Sequence, residues 1–152
     1  MALYYLDTSA LVKLYVREAG TEQMLHLVAN ANHKFAILAL APVELRSAIR
    51  RRVRTGDIEP SVADELLHRF ARHTESKFLR QLVNESVLEA ALRLIDHYPL
   101  RAYDAVQLAG CLILRASTAA EAPVFVTADQ EQSAAAEAEG LIAVNPDPQP
   151  QP

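Results

Sequence analysis

One cysteine and four glycines in a chain of 152 residues remove several chemistries at the outset. Cys111 alone can build neither a disulfide framework nor a thiolate metal site, and its neighbours Leu112, Ile113 and Leu114 mark it as a core residue. A reducing compartment is therefore expected. The glycines fall at no Walker or dinucleotide-binding spacing, and no Gly-x-Ser-x-Gly elbow is present, so a hydrolytic serine triad has no support. His26, His33, His68, His73 and His97 show no metal-ligand spacing with one another or with Cys111, and surface or helix-end roles are expected for them. Long apolar runs are also missing. Asp7, Lys13 and Arg17 interrupt the apolar N-terminus before signal-peptide or membrane-spanning length, so the expectation is a cytoplasmic protein with no membrane partner.

A surplus of positive charge is absent too, the formal net charge being −4. The distribution carries more information than the sum. Residues 130 to 152 hold Glu131, Glu137, Glu139 and Asp147 with no Lys or Arg, which leaves residues 1 to 129 balanced. Within that balanced part Arg46, Arg50, Arg51, Arg52 and Arg54 crowd into one nine-residue run. With 51% hydrophobic residues the chain can bury one good core, and its length calls for one domain.

Along the chain, apolar runs alternate with helical patterns. Ala2 to Leu6 reads as a buried strand that stops at Asp7. Thr8 or Ser9 can then cap a helix carrying Leu11, Leu14 and Tyr15 on one face and ended by Gly20. Helices are expected over residues 21–31, from Pro42 to about Arg54, from near Pro60 through Phe70, over 85–97, 101–116 and 130–139. Strands are expected over 35–40, 78–83, 123–129 and 141–144, with 123–129 the best of them. This alternation predicts an α/β fold with a mostly parallel central sheet. A single domain is expected over residues 1–146, followed by a disordered Pro/Gln tail at 147–152.

In such a sheet the C-terminal ends of strands and the N-terminal ends of helices share one rim, where ligands bind. Asp7 and Asp129 follow strands, while Glu44 and Asp104 stand in first helical turns, so four separate stretches could bring acids to one pocket. Each acid alone could equally be a cap or a helix-end charge, worth a few tenths to about one kcal/mol. Together they would repel, and the usual resolutions are a protonated member or a bound cation. Oxygen ligands favour a hard ion, Mg²⁺ or Mn²⁺, which can activate water and clamp phosphate oxygens. Arg46, Arg50 and Arg54 recur every four residues, and their stripe reads either as a track for a phosphate backbone or as a solvated helix face. Thr8, Ser9 and Thr127 read as caps or orienting donors rather than nucleophiles.

Four segments, YYLDTSALVKLY, APVELRSAI, LRAYDAVQLA and VFVTAD, occur in an order and at spacings that resemble the PIN-domain nucleases, and among them the VapC-like toxins of toxin–antitoxin pairs. The resemblance implies a PIN-like three-layer α/β/α sandwich and an endoribonuclease dependent on Mg²⁺ or Mn²⁺. Carried over by position, the catalytic and metal-binding acids are Asp7, Glu44, Asp104 and Asp129, with Ser9 and Thr127 assisting; the Arg run is denser than the family motif requires, and Arg46 and Arg50 are expected, from their stripe, to contact the RNA backbone. It further implies an RNA substrate, a cognate antitoxin protein whose tail covers the active site, and a homodimer. Two alternatives stand beside it. One is a PIN-like domain that binds RNA or protein without cutting. The other, a phosphotransfer domain with Asp7 as phosphoryl acceptor, lacks a second acid at the same strand end and a late strand-end Lys.

Overall fold

The first strand, β1 (Leu3–Leu6), lies at the centre of a five-stranded parallel sheet. The computed structural model describes residues 1–119 and 121–151. The other strands are β2 (Lys34–Leu38), β3 (Phe78–Gln81), β4 (Val124–Val126) and β5 (Ala143–Val144), and their order is β3-β2-β1-β4-β5. β1 pairs with β2 through Tyr4 and Phe35 and with β4 through Tyr5 and Phe125. The helices are α1 (Thr8–Leu11), α2 (Thr21–Val28), α3 (Ala41–Arg54), α4 (Pro60–Ser76), α5 (Glu85–His97), α6 (Ala102–Ser117) and α7 (Gln130–Ala138).

The inner strands β1 and β4 and all of β2 after Lys34 are apolar because both faces of the sheet are covered there, whereas the edge strand β3 carries Arg80 and Gln81. Alternate side chains divide them between two cores. Leu3, Tyr5, Ala36, Leu38 and Phe125 point into one core with α5, α6 and α7, through Val87, Leu94, Leu108 and Ala136. Leu6, Phe35, Ile37 and Val126 point into the other, against α1, α2, α3 and α4, through Leu11, Met24, Leu45, Ile49 and Phe70. The result is the three-layer α/β/α sandwich that the resemblance implies, and the sheet that the alternation makes mostly parallel is parallel in every strand pair.

Three local expectations change. Asp7 itself caps α1, its carboxylate accepting from the Ser9 N–H, so neither Thr8 nor Ser9 does the capping. Gly20 does not end the first helix, which stops at Leu11 and passes through a 3₁₀ turn at Val12–Leu14; with φ at 88°, Gly20 opens α2. Lys13 explains the early stop. It is buried, and its Nζ donates to the Ala19 carbonyl at 2.7 Å and pairs with Glu18 at 3.1 Å and Asp147 at 2.8 Å, drawing the loop inward. The third change concerns 123–129, which yields only the three-residue β4, since Thr127 and Asp129 turn away to serve α7. The tail after 146 begins with a contact, because Asp147 is held by Lys13. Pro152, its last residue, lies outside the described residues.

The approach of α6 to the sheet is set by Gly110. A Cβ there would meet Tyr5 Oη, and Leu38 Cδ1 at 2.7 Å. Gly110→Ala ordinarily gains about 1 kcal/mol in a helix interior. Here overpacking reverses the sign, at a cost of about 1–3 kcal/mol. Urea denaturation is expected to show a lower midpoint for Gly110→Ala, and an unchanged or higher one would mean that α6 can lift off the sheet.

Candidate active site

The strand order reverses between β1 and β4: the chain runs outward from β1 to β3, then returns to the other side of β1. Such a reversal leaves a crevice beyond the C-terminal strand ends. Asp7 leaves β1 there, its N–H donating to the Val126 carbonyl at 3.0 Å. Thr127 and Asp129 follow β4 on the other lip, Glu44 comes from the first turn of α3, and Asp104 from the first turn of α6. All four acids line one open cleft of about 430 Å³, together with Thr8, Ser9, Val43, Ser47, Ala48, Arg51 and Tyr103.

Asp7 is only 4% exposed. Its two oxygens are treated differently. Oδ2 accepts from the Ser9 N–H at 3.1 Å and from Ser9 Oγ at 2.6 Å, and Thr127 Oγ1 stands 3.2 Å away. Oδ1 has a single long contact, from Gln132 Nε2 at 3.4 Å. The carboxylate is thus fixed through one oxygen and left with acceptor capacity on the other. Ser9 Oγ also accepts from the Ala128 N–H at 3.0 Å, which joins the β1 and β4 lips.

Gln132 ties the rest together. Fully buried, it accepts from Thr127 Oγ1 at 2.7 Å and donates to the Asp104 carbonyl at 3.1 Å, while its own N–H bonds to Asp129 Oδ1 at 2.9 Å. Thr127 Oγ1 has one proton and faces two acceptors, Gln132 Oε1 and Asp7 Oδ2, so by rotation its hydroxyl serves both. Gln107, 1% exposed, does similar work for the other lip. Its Nε2 donates to Thr8 Oγ1 and to Glu44 Oε1, both at 3.0 Å, and so links α1, α3 and α6.

The charges oppose one another. Burial raises the pKa of Asp7 against four hydrogen-bonding contributions that lower it. Burial also raises Glu44, and the charges of Asp7 and Asp104 push it further up. Asp104 is raised by burial and then by Asp7 and Asp129. A cation would relieve this repulsion, and the donor set, all carboxylate oxygen with no thiolate or imidazole, fits a hard divalent ion. Among the described residues no three His, Cys, Asp or Glu side chains form a set that would hold an ion unaided.

Asp7, Glu44, Asp104, Asp129 and Ser9 are therefore brought to one cleft, with Thr127 immediately behind it. The Arg46 and Arg50 stripe is not. Two residues along a helix is about 200° of rotation, so the stripe starts on the far side of α3 from Glu44. Arg50 is paired with Asp64 at 2.7 Å. The arginine on the Glu44 face is Arg51, seven residues on, and it lines the cleft. Gln107 and Gln132 were also outside the sequence reading, although Asp129-x-x-Gln132 has the spacing of a capping box. A larger cleft of about 490 Å³, among Tyr15, Leu25, Phe35, Arg69, His73 and Phe78, holds none of the acids and sits by the N-terminal ends of β2 and β3.

A parallel α/β/α domain with a carboxylate cleft at its switch point is the class that fold and site define. Within it, the chain belongs to the PIN domain family, whose model matches residues 4–138. Solved structures agree on the fold. VapBC2 from Rickettsia felis bound to a DNA fragment from its promoter is 15% identical, with a TM-score of 0.65 covering 94% of this chain and 98% of that one. A toxin–antitoxin complex from Klebsiella pneumoniae is 17% identical, with a TM-score of 0.61 and coverages of 94% and 97%. FitAcB from Neisseria gonorrhoeae is 16% identical, with a TM-score of 0.62 and coverages of 96% and 98%. At these identities the likeness is one of fold. Comparison with curated proteins gives no match.

The repulsion is measurable. A carboxylate whose pKa is raised on folding contributes stability that is complete below its unfolded value near 4 and is lost as pH rises through the folded value. In chelator, Asp104→Asn is therefore expected to melt above wild type at pH 7, the gap closing as pH falls toward 4. Saturating Mg²⁺ or Mn²⁺ is expected to raise the melting temperature of wild type more than that of the variant. Thermal denaturation followed by circular dichroism checks both, and an Asp104→Asn protein no more stable than wild type at pH 7 would refute the repulsion.

Proposed function

We propose that the protein is a Mg²⁺- or Mn²⁺-dependent endoribonuclease that hydrolyses RNA phosphodiester bonds, acting as the toxin of a toxin–antitoxin pair. The observation that carries the reading is the meeting of Asp7, Glu44, Asp104 and Asp129, from four separate segments, in one cleft. Nothing in capping or helix-end stabilisation requires four carboxylates to share a site at the cost of mutual repulsion.

Asp7 through Oδ1, Asp104 and Asp129 would hold the ion, with Glu44 in the same cleft able to join them. When bound, the ion supplies Lewis-acid activation of water and charge neutralisation on the phosphate. Ser9, Thr127 and Gln132 keep Asp7 in one orientation. Gln107 fixes Glu44 through Oε1, and the other oxygen, Oε2, with its proton affinity raised by burial and by Asp7, is the acceptor we assign to the proton lost by the attacking water. In-line attack of that water on phosphorus breaks the bond to the 3′-oxygen, which takes up a proton from solvent, and leaves a 5′-phosphate and a 3′-hydroxyl. Arg46, exposed on the far side of α3, and Arg50 would meet flanking phosphates of a longer RNA.

Two similar structures, the VapBC2 complex and the Klebsiella pneumoniae toxin–antitoxin complex, support a cognate antitoxin as partner. A homodimer is proposed through the apolar row Leu88, Leu92 and Ile95 that α5 leaves exposed. No described helix is long and apolar enough to cross a membrane, and with RNA as substrate the proposed location is the cytoplasm. The test is cleavage of RNA by purified protein. With Mg²⁺ or Mn²⁺ it is expected to cut, with chelator to stop, and Asp7→Asn or Asp104→Asn to lose at least about 100-fold in rate. Cleavage that survives chelation would end the reading, and RNA binding without cleavage would favour the non-cutting alternative.

A further inference from the structure

We propose that Arg51 and Tyr103 form a clamp for single-stranded RNA on the two lips of the acid cleft, Arg51 taking a backbone phosphate and Tyr103 stacking on an unpaired base. RNA as the ligand rests on the reading above; the clamp itself rests on placement, exposure and unused bonding capacity.

Of the arginines crowded on α3, two are already engaged, Arg50 with Asp64 and Arg52 with Glu18. Arg51 makes no ion pair among the described residues, although it lines a cleft that holds four carboxylates. Glu44, Ser47, Ala48 and Arg51 occupy one face at spacings of three, four and seven, and all four line the cleft. Ser47 and Ala48 are small, so the floor between Glu44 and Arg51 is open to a strand of RNA. Seven residues of helix rise roughly 10 Å, which puts the guanidinium beyond the reacting phosphate and beside a neighbouring one. An arginine presents a planar fork of donors that matches two phosphate oxygens.

On the opposite lip Tyr103 precedes Asp104 in the first turn of α6 and is 61% exposed. It forms no aromatic pair among the described residues. Val43, which lines the same cleft from α3, is 64% exposed. A large aromatic and a branched aliphatic left open in the lining of a polar cleft suit the face of a base, and stacking of this kind tolerates every base. Duplex RNA keeps its base faces stacked and offers none to Tyr103, so the clamp selects single strands.

The experiment measures binding rather than cleavage, by fluorescence anisotropy of labelled RNA in the Asp104→Asn background with Mg²⁺. A fault in the nuclease reading then appears in the cleavage assay and a fault in the clamp appears here. Arg51→Ala is expected to weaken single-strand binding and to reduce the slope of log affinity against log salt by about 0.7, as loss of one phosphate contact should. Arg17→Ala, the same charge change outside the cleft, is expected to leave both unchanged. Tyr103→Ala is expected to weaken binding by at least about 5-fold, with Tyr103→Phe close to the parent. Duplex RNA is expected to bind more weakly and to be insensitive to Tyr103→Ala. Equal effects of Arg51→Ala and Arg17→Ala, equal losses for Tyr103→Phe and Tyr103→Ala, or duplex binding as tight as single-strand binding would each overturn the clamp.

Discussion

The site depends on a carboxylate that the fold has taken out of water. Burial works against the charge on Asp7, and the opposing contributions come from bonds made by residues on both sides of the strand reversal: Ser9 just after β1, and Thr127 and Gln132 after β4. A buried ionised group is tolerated only where such partners are already in place. Asp7 therefore measures how well the two lips of the sheet are joined. Its Oδ2 serves the fold, while Oδ1 remains available for chemistry.

The wider arrangement follows from the same constraint. Two buried glutamines, both held by side-chain hydrogen bonds, do for the acids what a hydrophobic contact cannot, because each amide donates to one group while fixing another. Gln107 holds Glu44 to Thr8, and Gln132 holds Thr127 to the backbone of Asp104. Helix starts converge on the rim as well, and their positive ends partly offset the crowding of negative charge. The offset is incomplete, since Glu44 and Asp104 remain harder to ionise than free carboxylates. That residual tension is what a cation, and then a phosphate, would discharge.

Much of this was legible in the chain itself. Parallel strands confine ligand sites to one rim, so an acid directly after a strand or within a first helical turn has a known address, and Asp7, Glu44, Asp104 and Asp129 all proved to share it. The glutamines were not legible, because a polar residue within an apolar helical band shows no sign of whether it faces solvent or a buried partner. Arg51 was obscured differently. The run of arginines invited a reading by density, whereas phase relative to Glu44 separates the cleft-facing residue from the stripe behind it. The length of β4 was overestimated because Thr127 continues the strand in composition but gives its hydroxyl to the site.

The distance in sequence between β1 and its partner β4 sets an order of events during synthesis. The contacts of Asp7 to Thr127 and Gln132 span 120 and 125 positions. At about 5–20 residues per second, several seconds or more pass before β4 and α7 exist to close the second lip. A growing chain thus carries isolated acids and no assembled cleft, and the competence to bind an ion and a phosphate arrives only once β4 and α7 have been made.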